Sequence, residues 1–277
     1  MTPDSAVAYI PPARIVYGTD FSEASARVLP RVLELAESCR ADVELVHVLT
    51  ESRTGPGTVE IKEGHARSRL EHLRMAYAYG FAGRGQVRLS RAVVVSSDPA
   101  KGMLEAVRNR PSTLLALGSH GASGVAQHPL GSVTKQLLLQ PVGPALVVPS
   151  TGSMAERIQT IVAVQTAPAM VHPSPVLRMS RVLAGNLEAA LQSVVLGPPQ
   201  ARTASADAHE EGVAVKEAVS LDPSARATWV EAVLRAASGL GADLVVVPRR
   251  LVLAPEVSHD RFAVALASTA SFSLLVI

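Results

Sequence analysis

The sequence predicts an α/β fold: two tandem doubly wound domains, each built on a five-stranded parallel sheet. Three observations carry that expectation. The chain has 277 residues, more than the roughly 150 of one ordinary domain. It is 48% hydrophobic but only 3% aromatic and 18% charged, so its core is made of Val, Leu, Ile and Ala, as suits strands buried on both faces by helices. Finally, one half of the chain echoes the other, which is the signature of an internal repeat.

The elements follow in order. The first copy opens with the apolar run Arg14-Ile15-Val16-Tyr17-Gly18-Thr19-Asp20, and the second with Gln159-Thr160-Ile161-Val162-Ala163-Val164-Gln165-Thr166. Val28, Leu29, Val32, Leu33 and Leu35 share one helical face, with Ser22 as N-cap. Pro30 inside that pattern should kink the helix or shift its start. Leu45-Val46-His47-Val48 reads as the second strand, and residues 59–78 as a helix. Residues 100–107 and 225–237 supply the third helix of each copy. Asp98-Pro99-Ala100 is echoed by Asp222-Pro223-Ser224, and Thr113-Leu114-Leu115-Ala116-Leu117 by Asp243-Leu244-Val245-Val246-Val247. Ala145-Leu146-Val147-Val148 is echoed by Leu274-Leu275-Val276-Ile277.

The alternation β-α-β-α-β-α-β-α-β implies an open parallel sheet with helices on both faces. Ile161 lies 146 positions after Ile15 but Ile277 only 129 after Val148, so the second copy is 17 residues shorter. Most of the loss falls between its second and third strands, where residues 197–212 leave no room for the helix that 50–86 accommodates. Ser150-Thr151-Gly152-Ser153 reads as a short joint, dividing the chain into domains 1–150 and 151–277. The last strand of each copy is an apolar edge, and exposed edges invite pairing. The strands at 145–148 and 274–277 are therefore candidates for pairing.

Composition excludes several classes. The net charge is +2, with 26 basic against 24 acidic residues, and no basic run marks a nucleic-acid surface. The scarcity of aromatics argues against a base-stacking platform. Cys39 stands alone, so no internal disulfide forms and a reducing compartment is favoured. Residues 1–13 do not read as a leader, and no 18-residue apolar window exists. Residues 262–277 read as helix plus strand. A cytoplasmic protein with no membrane contact is expected.

The chemistry concentrates after the fourth strand. Gly118-Ser119-His120-Gly121 is followed by nine residues and then Gly131-Ser132-Val133-Thr134. Ligands of open α/β sheets sit beyond the carboxyl ends of the strands. Gly118 and Gly121 let the backbone turn and approach a ligand closely. Gly131 to Thr134 opens the next helix, whose free N–H groups, with the Ser132 and Thr134 hydroxyls, make an anion site. Asp20 ends the first strand at the same edge, where a carboxylate suits a ribose hydroxyl or a phosphate-bound metal ion.

These residues resemble the universal stress protein family in a tandem two-domain form. The resemblance rests on Tyr17-Gly18-Thr19-Asp20-Phe21-Ser22, on Leu45-Val46-His47-Val48, and on the Gly-x2-Gly-x9-Gly-Ser spacing at 118 to 132, and it is strong over 14–149. It implies a Rossmann-like fold of the adenine nucleotide alpha hydrolase-like kind and a stress-response regulator that binds ATP, or AMP or ADP. On that resemblance Gly18, Thr19, Asp20 and Val48 flank adenine and ribose. Gly118, His120, Gly121, Gly131, Ser132, Val133 and Thr134 surround sugar and phosphates, and Asp20 is the one candidate to hold Mg²⁺ carried by the nucleotide. An unidentified protein partner is also implied, as is an intramolecular pseudo-dimer in which the two copies pack through 145–148 and 274–277, with further oligomers left open.

The second copy departs from this pattern. Thr166 stands for Asp20, Pro248-Arg249-Arg250-Leu251 for Gly118-Ser119-His120-Gly121, and Asp260-Arg261 for Gly131-Ser132. Added β-carbons and an acidic helix start predict no nucleotide there, and Arg249 and Arg250 read as solvated loop bases. No catalytic residue is assigned. Ser132 lacks a Gly-x-Ser-x-Gly elbow for a hydrolytic triad with His120 and Asp20, and no P-loop occurs. Slow Mg²⁺-dependent ATP hydrolysis and a ligand-free structural pseudo-dimer stand as the alternatives. His47 reads as a satisfied core histidine. His65 and His72 lack a third metal ligand, Cys39 reads as a packing residue, and Trp229 falls on a core face.

Overall fold

A computed structural model describes residues 11–50, 58–80, 87–121, 130–140, 143–150, 157–166, 174–197, 214–220, 226–249 and 261–277. The first half runs β1 (Arg14–Gly18), α1 (Glu23–Ala26), α2 (Leu29–Cys39), β2 (Asp42–Thr50), α3 (Thr58–Gly80), β3 (Leu89–Ser96), α4 (Pro99–Val107), β4 (Thr113–Gly118), α5 (Ser132–Leu138) and β5 (Ala145–Val148). The second half runs β6 (Thr160–Thr166), α6 (Pro175–Leu187), β7 (Ala190–Gly197), β8 (Ala214–Ser220), α7 (Arg226–Gly239), β9 (Leu244–Val247), α8 (Phe262–Thr269) and β10 (Ser273–Val276). The inferred lack of a helix between the second and third strands of the second copy, and the Asp222-Pro223-Ser224 echo, lie outside the described residues.

Local chemistry accounts for the boundaries. Ser22 caps α1, its Oγ accepting from the Ser25 N–H at 3.1 Å. Pro30 neither kinks nor interrupts a helix. It sits in the first turn of α2, where its missing N–H costs nothing, so the expected single helix becomes two. Asp98 caps α4 by accepting from the Ala100 and Lys101 amides at 2.9 and 3.1 Å. Arg40 ends α2 and Glu188 ends α6, both left-handed at φ 54°. Each is the residue just past the helix, so the two copies share even this turn.

The strands form one ten-stranded sheet in the order β3-β2-β1-β4-β5-β10-β9-β6-β7-β8. Each half is parallel. The halves join edge to edge where β5 and β10 pair antiparallel, Leu146 opposite Leu275. Strand registers make these two leucines equivalents: Leu146 pairs with Ala116 and Leu275 with Val246, at matching places in their halves. The seam is thus self-complementary about a pseudo-twofold axis, the isologous arrangement of a symmetric dimer. The equivalent helices α2 and α6 meet on one face of the sheet, and α5 and α8 on the other.

Successive strand residues point to opposite faces. Ile15 and Tyr17 enter a core that continues across the seam through Leu146, Leu275, Ile161 and Ala163 to α6. Val16 turns to a separate first-half core with Met103 and Leu115. Val162 and Val164 turn to one built on Trp229 and Phe262. Arg31 is buried in α2 and pairs with Glu34, whose Oε1 also accepts the Ile158 N–H at 2.6 Å, tying α2 to the start of the second half. Among the described residues no helix is long and apolar enough to cross a membrane.

Candidate functional site

The carboxyl ends of β1, β2 and β4 and the first turns of α4 and α5 enclose a cavity of about 380 Å³. All eleven residues singled out in the sequence, Gly18, Thr19, Asp20, Val48, Gly118, His120, Gly121, Gly131, Ser132, Val133 and Thr134, line it. Ser25, Val46, His47, Pro99, Met103, Leu117 and Leu130 complete the lining. Apolar groups from β2, β4 and α4 make one wall, and glycines, hydroxyls and backbone make the other. Among the described lining residues Asp20 supplies the carboxylate. No Lys or Arg occurs between Arg110 and Lys135, and among the described residues the lining at the β4–α5 wall offers amides and hydroxyls rather than a fixed cation.

Asp20 Oδ1 accepts from the Ser22 N–H at 2.9 Å and from its hydroxyl at 2.6 Å, an Asx turn that sets the carboxylate. Gly121 packs so closely that a β-carbon there would sit 2.4 Å from Asp20 Oδ2. Ser119 holds the β4 turn. Its N–H donates to Val148 O at 2.8 Å, its Oγ accepts from the Ser150 N–H at 3.0 Å, and it lies 3.0 Å from His120 Nδ1. Ser150 Oγ in turn bridges the His120 N–H at 3.1 Å and the His120 carbonyl at 3.0 Å. A β-carbon at Gly118 would fall 2.7 Å from that oxygen. Ser150 is buried and braces the turn that lines the site, while 151–153, the rest of the expected joint, lie outside the described residues.

The α5 side is tied to the same turn. The Gly131 N–H donates to Ser119 O at 2.8 Å, and Thr134 Oγ1 donates to Gly118 O at 2.8 Å. The Thr134 proton is thus given to the protein's own backbone, unlike the anion-facing hydroxyl expected from the sequence. Ser132 keeps its place in the lining.

His47 differs from a fully enclosed core histidine. It is half-buried and lines the cavity. Its Nδ1 lies 2.9 Å from Thr19 O. A carbonyl only accepts, so Nδ1 carries the proton and the neutral ring keeps Nε2 as acceptor. The ring lies 4.4 Å from that of Phe21, and Arg69 of α3 sits 4.4 Å over the other ring's centroid while donating to Phe21 O at 3.3 Å. This stack holds Phe21 at φ 62°, a left-handed backbone that only surrounding contacts maintain. Beneath it, Tyr17 is buried and donates to Ser25 O, and burial holds its phenol well above the usual range.

The family model described as the Universal stress protein family matches residues 12–149, the segment that builds this cavity. The chain belongs to the universal stress protein family through its first half. No curated relative matches the sequence. Solved structures extend the likeness over both halves. A universal stress protein from Archaeoglobus fulgidus DSM 4304 aligns with a TM-score of 0.68 at 15% identity, covering 96% of this chain and 98% of that one. A functionally unknown protein from Pseudomonas aeruginosa PAO1 aligns at 0.64 and 13%, covering 98% and 94%. The cytoplasmic domain of a prokaryotic cation chloride cotransporter aligns at 0.53 and 13%, covering 96% and 95%. At such identities these matches show the tandem fold alone, and they show it on proteins of differing kinds.

The second half lacks the features that build the cavity in the first. Ile15 pairs with Leu114 and Ile161 with Leu244, which makes Gln165 the counterpart of Thr19, Pro248 of Gly118 and Arg249 of Ser119. Gln165 turns its amide into the fold, donating to Ser193 Oγ at 2.7 Å and accepting from Ser174 Oγ at 3.2 Å. Arg249 is not a solvated loop base. It is half-buried, its guanidinium donates to Gln140 O at 2.8 Å and Gly143 O at 2.6 Å, and burial lowers its pKa from the ordinary arginine value. Arg250, Leu251 and Asp260 lie outside the described residues.

His65 and His72 are exposed on α3, and the described residues hold no group of three or more His, Cys, Asp or Glu suited to a metal ion. Cys39 is partly buried at the end of α2, and burial pushes its thiol up to about 11. Trp229 is buried in the second-half core.

Proposed function

We propose that the first-half cavity binds an adenine nucleotide and that the chain is a nucleotide-dependent stress-response regulator of two units, 1–150 and 151–277, with nucleotide in the first unit only. The observation that carries this is the fit of Gly121 against Asp20. The turn after β4 approaches a carboxylate so closely that any side chain would displace it, leaving a glycine-walled slot beside the acceptor that a ribose diol needs. The cavity volume lies within the ordinary range of small-ligand sites. Val48, Met103 and Leu117 give the flat base an apolar wall. Asp20 accepts from ribose hydroxyls, and the Ser132 amide and hydroxyl at the start of α5 receive phosphate oxygens.

Asp20 is the single carboxylate among the described lining residues, too few for a dedicated metal cage but suited to Mg²⁺ arriving on the phosphates, which is held by one or two carboxylates beside the nucleotide. Such an ion would neutralise phosphate charge. The residues themselves bind and orient. A nucleotide spanning the 118–121 and 131–134 turns would favour conformations in which the two stay joined, changing the surface offered to a protein partner.

Calorimetry with ATP, ADP and AMP, with and without Mg²⁺, tests the proposal. One site per chain is expected. No heat and no thermal shift at millimolar ATP would overturn it, and two equal sites would overturn the assignment to the first unit.

A further inference from the structure

Arg249 belongs to the second half, yet its side chain ends in the first. Its backbone N–H donates to Ile277 O at 2.5 Å, fixing it to the end of β10. The guanidinium then crosses the seam. Nη1 donates to Gln140 O at 2.8 Å and reaches Leu138 O at 3.4 Å, and Nη2 donates to Gly143 O at 2.6 Å. Leu138 is the last residue of α5, and the other two carbonyls lie just beyond it, toward β5. A planar fork of fixed donors suits three converging carbonyls in a way a single ammonium does not.

The far end of α5 is the cavity wall. The helix has seven residues, about 10 Å at 1.5 Å per residue. Gly131, Ser132, Val133 and Thr134 line the cavity and are stapled to the β4 turn through Ser119 O and Gly118 O. One short helix therefore carries the ligand wall at one end and the other half's guanidinium at the other. The counterpart of Arg249 by register, Ser119, serves its own turn instead, so this clamp runs in one direction.

We infer that Arg249 is a positioning residue for the nucleotide site of the other half: the second unit sets the first unit's affinity by holding α5 from behind. This rests on the nucleotide reading above. The clamp acts on the wall assigned to the phosphates. The base and ribose wall, with Asp20, Val48 and Met103, hangs on β1, β2 and α4, which Arg249 does not touch. Loss of the guanidinium should therefore weaken ATP but spare adenosine.

Calorimetry on wild-type, Arg249→Ala and Arg249→Lys chains, each titrated with ATP and with adenosine, tests it. We expect Arg249→Ala to lose about 5- to 20-fold in ATP affinity, a modest coupling by general standards. Adenosine affinity should stay within about twofold and Arg249→Lys should fall between. Unchanged ATP affinity in Arg249→Ala overturns the inference and leaves the nucleotide reading standing. Equal losses for ATP and adenosine overturn it too, since they report general loosening. A wild-type chain that binds neither ligand overturns the nucleotide reading and this inference with it. If Arg249→Ala does not fold, reciprocity supplies the test on wild-type protein, because coupled sites act on each other equally. Saturating ATP must slow hydrogen exchange of the Arg249 amide bonded to Ile277 O, and unchanged exchange overturns the inference.

Discussion

The turns after β1 and β6 begin from equivalent strands and end in opposite uses of polar groups. In the first half, Asp20 is held at its near oxygen by Ser22 and faces the cavity beside Gly121. In the second, Gln165 spends both ends of its amide on Ser193 and Ser174. The turns after β4 and β9 diverge in the same way. Gly118 and Ser119 hold a tight turn around Ser150, whereas Arg249 leaves its own half to grip the other. The lesson is that a repeated fold keeps its hydrophobic alternation, because each strand must still bury both faces. Its site can be reassigned by a few residues that satisfy one another internally.

The sharpest test of the comparison is the seam, where the halves are most alike. Leu146→Ala and Leu275→Ala should each cost about 2–5 kcal/mol, the usual range for a fully buried leucine, and to a similar extent, as read from urea unfolding. A loss below about 1 kcal/mol for either would break the pseudo-twofold account. Next comes the divergence of the sites. Asp20→Ala should weaken ATP by about 1.5–3 kcal/mol, the value of a charge-assisted hydrogen bond, while its counterpart Thr166→Ala leaves affinity within about twofold in the same titration. Equal effects would make the two edges functionally alike.

The turns after β4 and β9 separate further by size tolerance. A Gly118→Ala β-carbon meets Ser150 Oγ at 2.7 Å and Val28 Cγ2 at 3.1 Å. Overpacking of this kind costs about 1–3 kcal/mol, and thermal unfolding should show it. Pro248→Ala, at the equivalent position, should shift stability by much less.

The smallest effect concerns the end of α2. Cys39 stays protonated when folded up to about pH 11, against an ordinary 9.0. Above pH 9 the unfolded chain releases a proton that the folded chain keeps, so stability falls as pH rises from 9 to 11. Cys39→Ala should remove that share of the slope, and an identical alkaline slope in both chains would contradict it. Leu187, the last residue of α6, leaves the matching turn of the second half without this titration.

Much of the first site was legible because its determinants are local in sequence. Glycines at fixed spacing, Asp20 after an apolar run, and Ser22 as a cap are each marked by their immediate neighbours in the chain, even where the partner, as Asp20 is for Gly121, lies far away. Ser150, Met103 and His47 were not read as site residues, because each arrives from a different strand or helix. Ser150 lies 30 positions from His120 yet holds it by two hydrogen bonds. Pro30 could be read as a kink or a shifted start, and packing of α1 under Tyr17 chose the latter. Arg249 escaped most completely, since a basic residue in a loop carries no local mark of the carbonyls 106 to 111 positions away that it will meet.

The amino-acid sequence alone determined the two copies, the aliphatic strands buried on both faces, and the unequal chemistry of their two edges. These follow from side-chain periodicity and from glycine's lack of a β-carbon, properties carried by each residue and its near neighbours. Tertiary structure alone decided that β5 and β10 meet antiparallel with Leu146 on Leu275, that a core crosses the seam on each face of the sheet while a third stays within the first half, and that the guanidinium of Arg249 reaches α5. An edge strand must pair and a buried donor must find an acceptor, but which partner each one finds depends on where the whole chain brings its distant parts.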